Sequence, residues 1–480
     1  MTARASFLIL VLSAQAGVLR AVDHQISSEL WAEGYSIRAA DGREIARRNI
    51  VEDLHMAVWN LLPGSADPWY DGPHLSVELN LQLGGDWGVE RVETRRSEPG
   101  RYTPGLQNLD ARAVFAFVSV NGLRDGAFDV RAGRQIRLDT IGFTAHDGVE
   151  LVAHLPAGFA LSSFIGREVQ GGRPLGDDSL EMDGVDNGGR DDIDDAWFAQ
   201  RTEPTPTLAF GSELSFVPDR HFDGAVAIRL LGLNGRPVAR TWGGRLSTHH
   251  ERIRSSLLVI ANPLFDRRDD LSAAIREGSA VTEAEASIEV SPVASLWVGV
   301  EYLLYRPVFS ADSIFNIFDL IPRRDLGLRA EQRLGERLTM AAWSYIRFEE
   351  RSGGLTGHEA DARVSGAGGG LGADYQRTVH RLSVRFNVQR EWGAGRVGVE
   401  TGGWRGLFDN RLLLGLRASF WHVDDALMGG ALGNIAGWVM SARYAIASGA
   451  QVLGELENYF GGGQGPRLSA LLILQLDLWK

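Results

Sequence analysis

The feature that most constrains this chain is a strict period of two in its apolar residues. From His74 to Leu83, residues Leu75, Val77, Leu79, Leu81 and Leu83 share one parity, and His74, Ser76, Glu78, Asn80 and Gln82 share the other. Successive side chains of an extended strand point to opposite faces, so this alternation specifies a strand with one apolar and one polar face. The rhythm recurs. Leu382, Val384, Phe386 and Val388 alternate with Ser383, Arg385, Asn387 and Gln389. Leu412, Leu414, Leu416, Ala418 and Phe420 alternate with Arg411, Leu413, Gly415, Arg417 and Ser419. Ala284, Ala286, Ile288 and Val290 alternate with Glu283, Glu285, Ser287 and Glu289.

About eighteen such segments of roughly nine to twelve residues can be traced, near the length a tilted strand needs to cross a bilayer. Strands of soluble proteins average about five or six residues. The expectation is an all-β fold, a transmembrane antiparallel up-and-down β-barrel of about 18 strands, within about 16–20. Tight polar connections join many segments, at Pro156-Ala157-Gly158, Pro218-Asp219-Arg220, Gly335-Glu336 and Ala447-Ser448-Gly449. Others are separated by long Gly- and Asp-rich stretches at 84–109, 167–206, 263–279 and 349–376. Short turns on one side and long loops on the other are the asymmetry of outer-membrane barrels. The stretch 234–280 is ambiguous and reads as one strand, two, or a helix. The glycine run 366–372 lacks dinucleotide-binding spacing and reads as a flexible loop. Of the 13 Trp, Trp392, Trp404, Trp421 and Trp438 fall near strand ends, where interfacial girdles lie.

No segment has the length and apolarity of a helical membrane span. The one long apolar run, from Ala5 to Leu19, follows the basic Met1–Arg4 and leads to Ala14-Gln15-Ala16, an A-x-A cleavage site. Residues 1–21 therefore read as a secretory signal peptide, cut after Ala16 or Ala21. Residues 22–72 read as a first strand or a periplasmic extension, and 73–480 as the barrel. The absence of Cys excludes thiol nucleophiles, disulfides and Cys-ligated metals. A net charge of -12 argues against a nucleic-acid partner. The last strand, Leu468 to Leu478, ends one residue before Trp479-Lys480. A terminal strand closing on an aromatic resembles the signal that barrel-assembly machinery reads, with Lys480 as a departure from it.

Val130-Arg131-Ala132-Gly133-Arg134-Gln135 followed by Asp147-Gly148-Val149 resembles a feature of alginate-export-like and related Gram-negative porins. In those proteins a strand carrying Gly-Arg-Gln is followed by an Asp-Gly pair opening the next strand. The resemblance implies a porin-like barrel and names no solute. Independently of it, Arg131, Gln135, Arg137 and Asp139 fall on the polar face of their strand, toward a lumen, and Arg385 and Arg417 do so on theirs. Such charges bias ion selectivity, pair with Asp139 and Glu150 to stiffen the wall, or do both. Arg134 has the apolar parity, which suggests a strand end or a bulge.

The densest charge cluster is the stretch 183–195. Asp183, Asp186, Asp191 and Asp194 provide oxygen ligands of the kind calcium takes, but without the one-apart rhythm or closing Glu of an EF-hand. A solvated acidic loop is the other reading; no further cofactor is expected. No G-x-S-x-G or H-E-x-x-H motif occurs. In His249-His250-Glu251 adjacent side chains diverge if the backbone is extended, so no enzyme is expected. The apolar segment Ser310 to Ile321 reads as an inward constriction or as rim or subunit packing. These readings point to an outer-membrane channel for passive diffusion of small hydrophilic solutes or ions. The alternative is a non-conducting barrel acting as adhesin, scaffold or export-machine partner. The expected partners are outer-membrane lipids, such solutes and the barrel-assembly machinery; the oligomeric state stays open.

Overall fold

A computed structural model describes residues 23–38, 44–62, 72–86, 110–170, 173–174, 208–233, 236–265, 281–305, 323–349, 363–391, 394–425, 433–461 and 464–479. They contain 23 strands. The strand β8 (Arg173–Pro174) is a two-residue arm on β7 (Phe159–Gln170). Each of the other 22 pairs antiparallel with its neighbour in the chain, and β1 (Asp23–Arg38) pairs with β23 (Gln464–Trp479). The ring is therefore closed. Closure matters because a strand edge in lipid would leave backbone donors and acceptors unsatisfied, at several kcal/mol each.

The expected count of about 18 is corrected to 22. Residues 22–72 contribute two wall strands, β1 and β2 (Glu44–Trp59), so the barrel begins at Asp23 and not at residue 73. The ambiguous stretch 234–280 holds β11 (Arg236–His249) and β12 (Ile253–Phe265). The glycine run 366–372 is no loop but lies inside β17 (Arg363–Arg377). The readings on residues 1–21, the acidic stretch 183–195 and Ser310–Ile321 lie outside the described residues.

Polarity decides which face is which. On one parity of strand after strand stand exposed Leu161, Val226, Leu257, Leu328, Leu371, Leu416 and Leu472. On the opposite parity stand Glu78, Glu150, Arg229, Glu289, Arg347, Arg385 and Glu457. An apolar belt continuous around the molecule is far larger than the few hundred Å² a soluble monomer exposes. It fits hydrocarbon outside and water inside.

The two ends differ. At one end most connections are short, among them 155–158, 220–221, 294–295, 335–337, 378–379 and 448–449, with 60–73 the exception. At the other, the connections include 87–109, 175–207, 266–280, 306–322 and 350–362. The end of β23 lies with the short turns. With neighbouring strands about 4.8 Å apart and tilted by about 40°, a circular ring of this many strands is about 40 Å across between strand axes. A bore that wide imposes little selectivity unless something projects into it.

Candidate functional site

The feature that projects inward is the hairpin of β5 (Phe128–Asp139) and β6 (Gly142–His154). Its strands stay paired with each other from Phe128↔Ala153 to Asp139↔Gly142. Their pairing with the wall stops early. Strand β4 (Asp110–Gly122) holds β5 only from Val120↔Val130 to Ala116↔Arg134. Strand β7 holds β6 only from His154↔Ala160 to His146↔Glu168. Residues 135–145 thus leave the wall as a unit.

Contacts show where the tip goes. The backbone N–H of Thr140 donates to Glu213 Oε2 at 2.7 Å, on β9 (Leu208–Asp219). Arg229, on β10 (Phe222–Leu233), donates to Asp139 Oδ1 and to the carbonyl of Gly142, each at 3.0 Å. Ile141 Cγ1 lies 2.8 Å from where a Cβ on Gly243 of β11 would stand. The hairpin therefore crosses the inner faces of β7, β9 and β10 and ends on β11. Arg137 Nη1 reaches Glu150 Oε1 at 2.6 Å. In register, Glu150 is opposite Arg131, six residues back along β5. A straight strand would separate them by about 20 Å, so the contact requires a fold.

The fold is possible because glycines meet where it occurs. Gly133 pairs with Gly148, and Gly148 with Gly166. A Cβ on Gly148 would overlap the Ile165 carbonyl oxygen, and one on Gly133 that of Ala116. Gly133 also has φ +127, where a side chain is strained. The bend is held by Arg134, which donates to both oxygens of Asp147 (2.7 and 2.8 Å) and to the Ala113 carbonyl. No register shift is present between β5 and β6. Arg134 keeps the outward parity because the strand leaves the wall there, not because of a bulge.

The hairpin lies on a trough of small or flattened residues: Ala209, Gly211, Ala225, Ala227 and Gly243, with Phe164 and Ile260, all buried. The His146 ring stacks on Phe164 at 4.3 Å. This covering relocates the sequence-derived lumen candidates. Gln135 is fully buried and donates to the backbone carbonyls of Arg131, Gly133 and Gly148, so it lines no water path. Arg137, Asp139 and Glu150 are buried between hairpin and wall, in a chain running Arg131–Glu150–Arg137–Asp139–Arg229. Of the expected set, Arg131, Arg385 and Arg417 keep inward parity outside the hairpin's cover, Arg417 with Glu455 Oε1 at 3.6 Å. What the hairpin presents to the bore is the cross-strand pair Leu138 and Phe143, 81% and 64% exposed. Sequence reasoning missed these two. Their parity is that of lipid-facing residues, and only the departure from the wall brings them inside.

Six strands beyond β11, the inward face of β17 is Gly366, Gly368, Gly370 and Gly372. Rings from β16 (Leu338–Glu349) lie flat on it. Tyr345 Cε1 is 2.6 Å, and Trp343 Cζ2 2.5 Å, from where a Cβ would stand on Gly368 and Gly370. Arg347 donates twice to Asp325 and once to Glu391, all at 2.8 Å. Trp404 and Trp421 also have inward parity, so they belong to no lipid-facing girdle, whereas Trp438 faces outward. His249-His250-Glu251 sits where β11 turns into β12, and the His221 ring bonds to the backbone carbonyl of His249 at 2.8 Å.

No family model and no curated protein matches the chain. Among solved structures, it is similar to Pseudomonas aeruginosa OccK9 (OpdG), at 12% identity and a TM-score of 0.42, covering 95% of this chain and 98% of that one. It is also similar to Acinetobacter baumannii OccAB2, at 7% identity and a TM-score of 0.44, with 95% and 97% covered. The outer membrane protein opdK from Pseudomonas aeruginosa gives 9% identity, a TM-score of 0.42 and coverage of 95% and 98%. Likeness at this level transfers neither a solute nor a residue role.

Proposed function

We propose that the chain is an outer-membrane channel for passive diffusion of small hydrophilic solutes or ions, narrowed on one side by the β5–β6 hairpin. The observation that carries this reading is the closed ring with an apolar outer belt and charged inner face. Closed barrels satisfy the backbone in lipid, and rings of this size enclose water. The hairpin supports a graded rather than an unselective bore. Its charges pair beneath it, so its free face contributes shape and an apolar lip. The charge that biases ion flow then comes from Arg385, Arg417 and the carboxylates around them. The reading is of a transporter and not an enzyme. It includes export under the N-terminal signal and insertion by barrel-assembly machinery acting on the last strand. Calcium on Asp183, Asp186, Asp191 and Asp194 is a subsidiary proposal.

The test is single-channel recording of the refolded protein in planar bilayers, in the presence and absence of calcium. Discrete, stable current steps are expected. Silence from protein shown to be folded and inserted would remove the channel reading and favour an adhesin, a scaffold or a partner of an export machine. A calcium-dependent step size is expected if the acidic stretch binds the ion.

A further inference from the structure

The outer face carries arginines near both ends of an otherwise apolar belt, and four of them share one end. Arg167 follows Leu161 and Ile165 on the outward parity of β7, three residues before its end. Arg240 precedes Trp242 and Leu246 on that of β11, near its start. Arg324 precedes Leu326 and Leu328 at the start of β15 (Arg323–Leu334), and Arg390 follows Phe386 and Val388 at the end of β18 (His380–Glu391). All four strand ends lie on the side of the long connections. The four positions thus form an arc just beyond the apolar belt at one membrane interface.

The chemistry of that level favours anions. A guanidinium offers a planar fork of donors that matches phosphate, and its alkyl stem lies over apolar surface while the head reaches the interface. Among the described residues no ion pair within 4.0 Å involves Arg167, Arg240 or Arg390, although Asp147 stands opposite Arg167 in register and many lumen-facing arginines are paired. The guanidinium of Arg240 sits 4.6 Å over the Trp242 ring. Neighbouring arginines in the arc are three or four strands apart, about 15–20 Å at strand spacing, so each meets a separate headgroup. Of the acidic residues at that level, Asp147 is taken by Arg134, and Asp424 stands on β20 (Leu412–Asp425), beyond the arc.

We propose that Arg167, Arg240 and Arg390 form a belt that binds phosphate groups of an anionic lipid in the leaflet on the long-connection side. The proposal rests on the membrane-spanning reading above. Its test uses the full chain refolded into phosphatidylcholine bilayers doped with diphosphoryl lipid A or with the same lipid dephosphorylated. Folding is checked by heat-shifted gel mobility, and lipid retained after extraction is counted by native mass spectrometry. Wild type is expected to retain several-fold more of the phosphorylated lipid. The R167A/R240A/R390A variant should lose that preference. The R377A/R405A variant, which removes outward arginines at the opposite end, should keep it. Excess inorganic phosphate should not displace the lipid; displacement would make this a free-anion site and overturn the lipid assignment. Equal retention of the two lipids, or equal losses in both variants, would also overturn the proposal while leaving the channel reading intact. Failure of wild type to insert would overturn both.

Discussion

At the residue scale, the decisive positions are those where a side chain is absent. Replacing Gly148 with alanine forces a methyl group onto the Ile165 carbonyl. Overpacking of this kind costs about 1–3 kcal/mol, so G148A should lower the urea midpoint of the micelle-folded protein. Gly454 has nothing within 4 Å of its would-be Cβ, and G454A should stay within about 0.5 kcal/mol of wild type. Equal midpoints would show that the bend tolerates a side chain. The clamp at the tip gives a second prediction. Arg229→Ala leaves Asp139 buried with Arg137 as its remaining cation. The expected cost is about 1–3 kcal/mol, with noisier open-channel current as the tip loosens. The paired charges are legible in part: Arg131, Arg137 and Asp139 stand out by parity, and Glu150 as a pairing partner. That they face a hairpin's underside and not water was not legible, because the alternation breaks only at Arg134, where the strand leaves the wall, and resumes with Ile136 and Leu138. The glycines at 133, 148 and 166 are the signal that could have shown it, since they converge only once the register is known.

At the element scale, two separate surfaces face the bore, and they make predictions of opposite sign. Leu138→Ala with Phe143→Ala trims the exposed lip of the hairpin and should raise single-channel conductance by on the order of ten per cent. Gly368→Val, where a Cβ meets only the Tyr345 side chain, pushes that ring off β17 into the lumen and should lower it by a similar amount. If neither change moves the current, the narrowest point lies elsewhere. Strand β17 also shows why a correct principle misread a segment. Its inward face is nearly all glycine, so the apolar–polar contrast that marks a strand vanishes, and what is left resembles a flexible connection. The packing explains the composition: Trp343 and Tyr345 occupy the space that side chains of β17 would have filled.

At the scale of the whole molecule, the fold class was legible and the size was not. Long, strictly alternating segments such as 74–83 leave little choice but a membrane barrel, whereas β1, whose outward row runs Ser28, Leu30, Ala32 and Gly34, blurs the contrast. Because β1 and β2 are wall strands, a chain lacking 23–59 must either leave β3 (His74–Asp86) and β23 as open edges or find a narrower closure. Its expected behaviour is loss of the heat-shifted folded band in lipid; a band like that of wild type would mean the ring can close without them. The seam itself joins residues from the two ends of the chain, as in the hydrogen bond from Gln475 Nε2 to Glu29 at 2.6 Å, across a separation of 446 residues. Contacts this remote in sequence form late and slowly, since the loop they close must be gathered first. The completed ring is available only after the final strand has been synthesised and delivered. A polypeptide cut short by premature termination lacks the strand on which its first strand closes, so it cannot complete this ring.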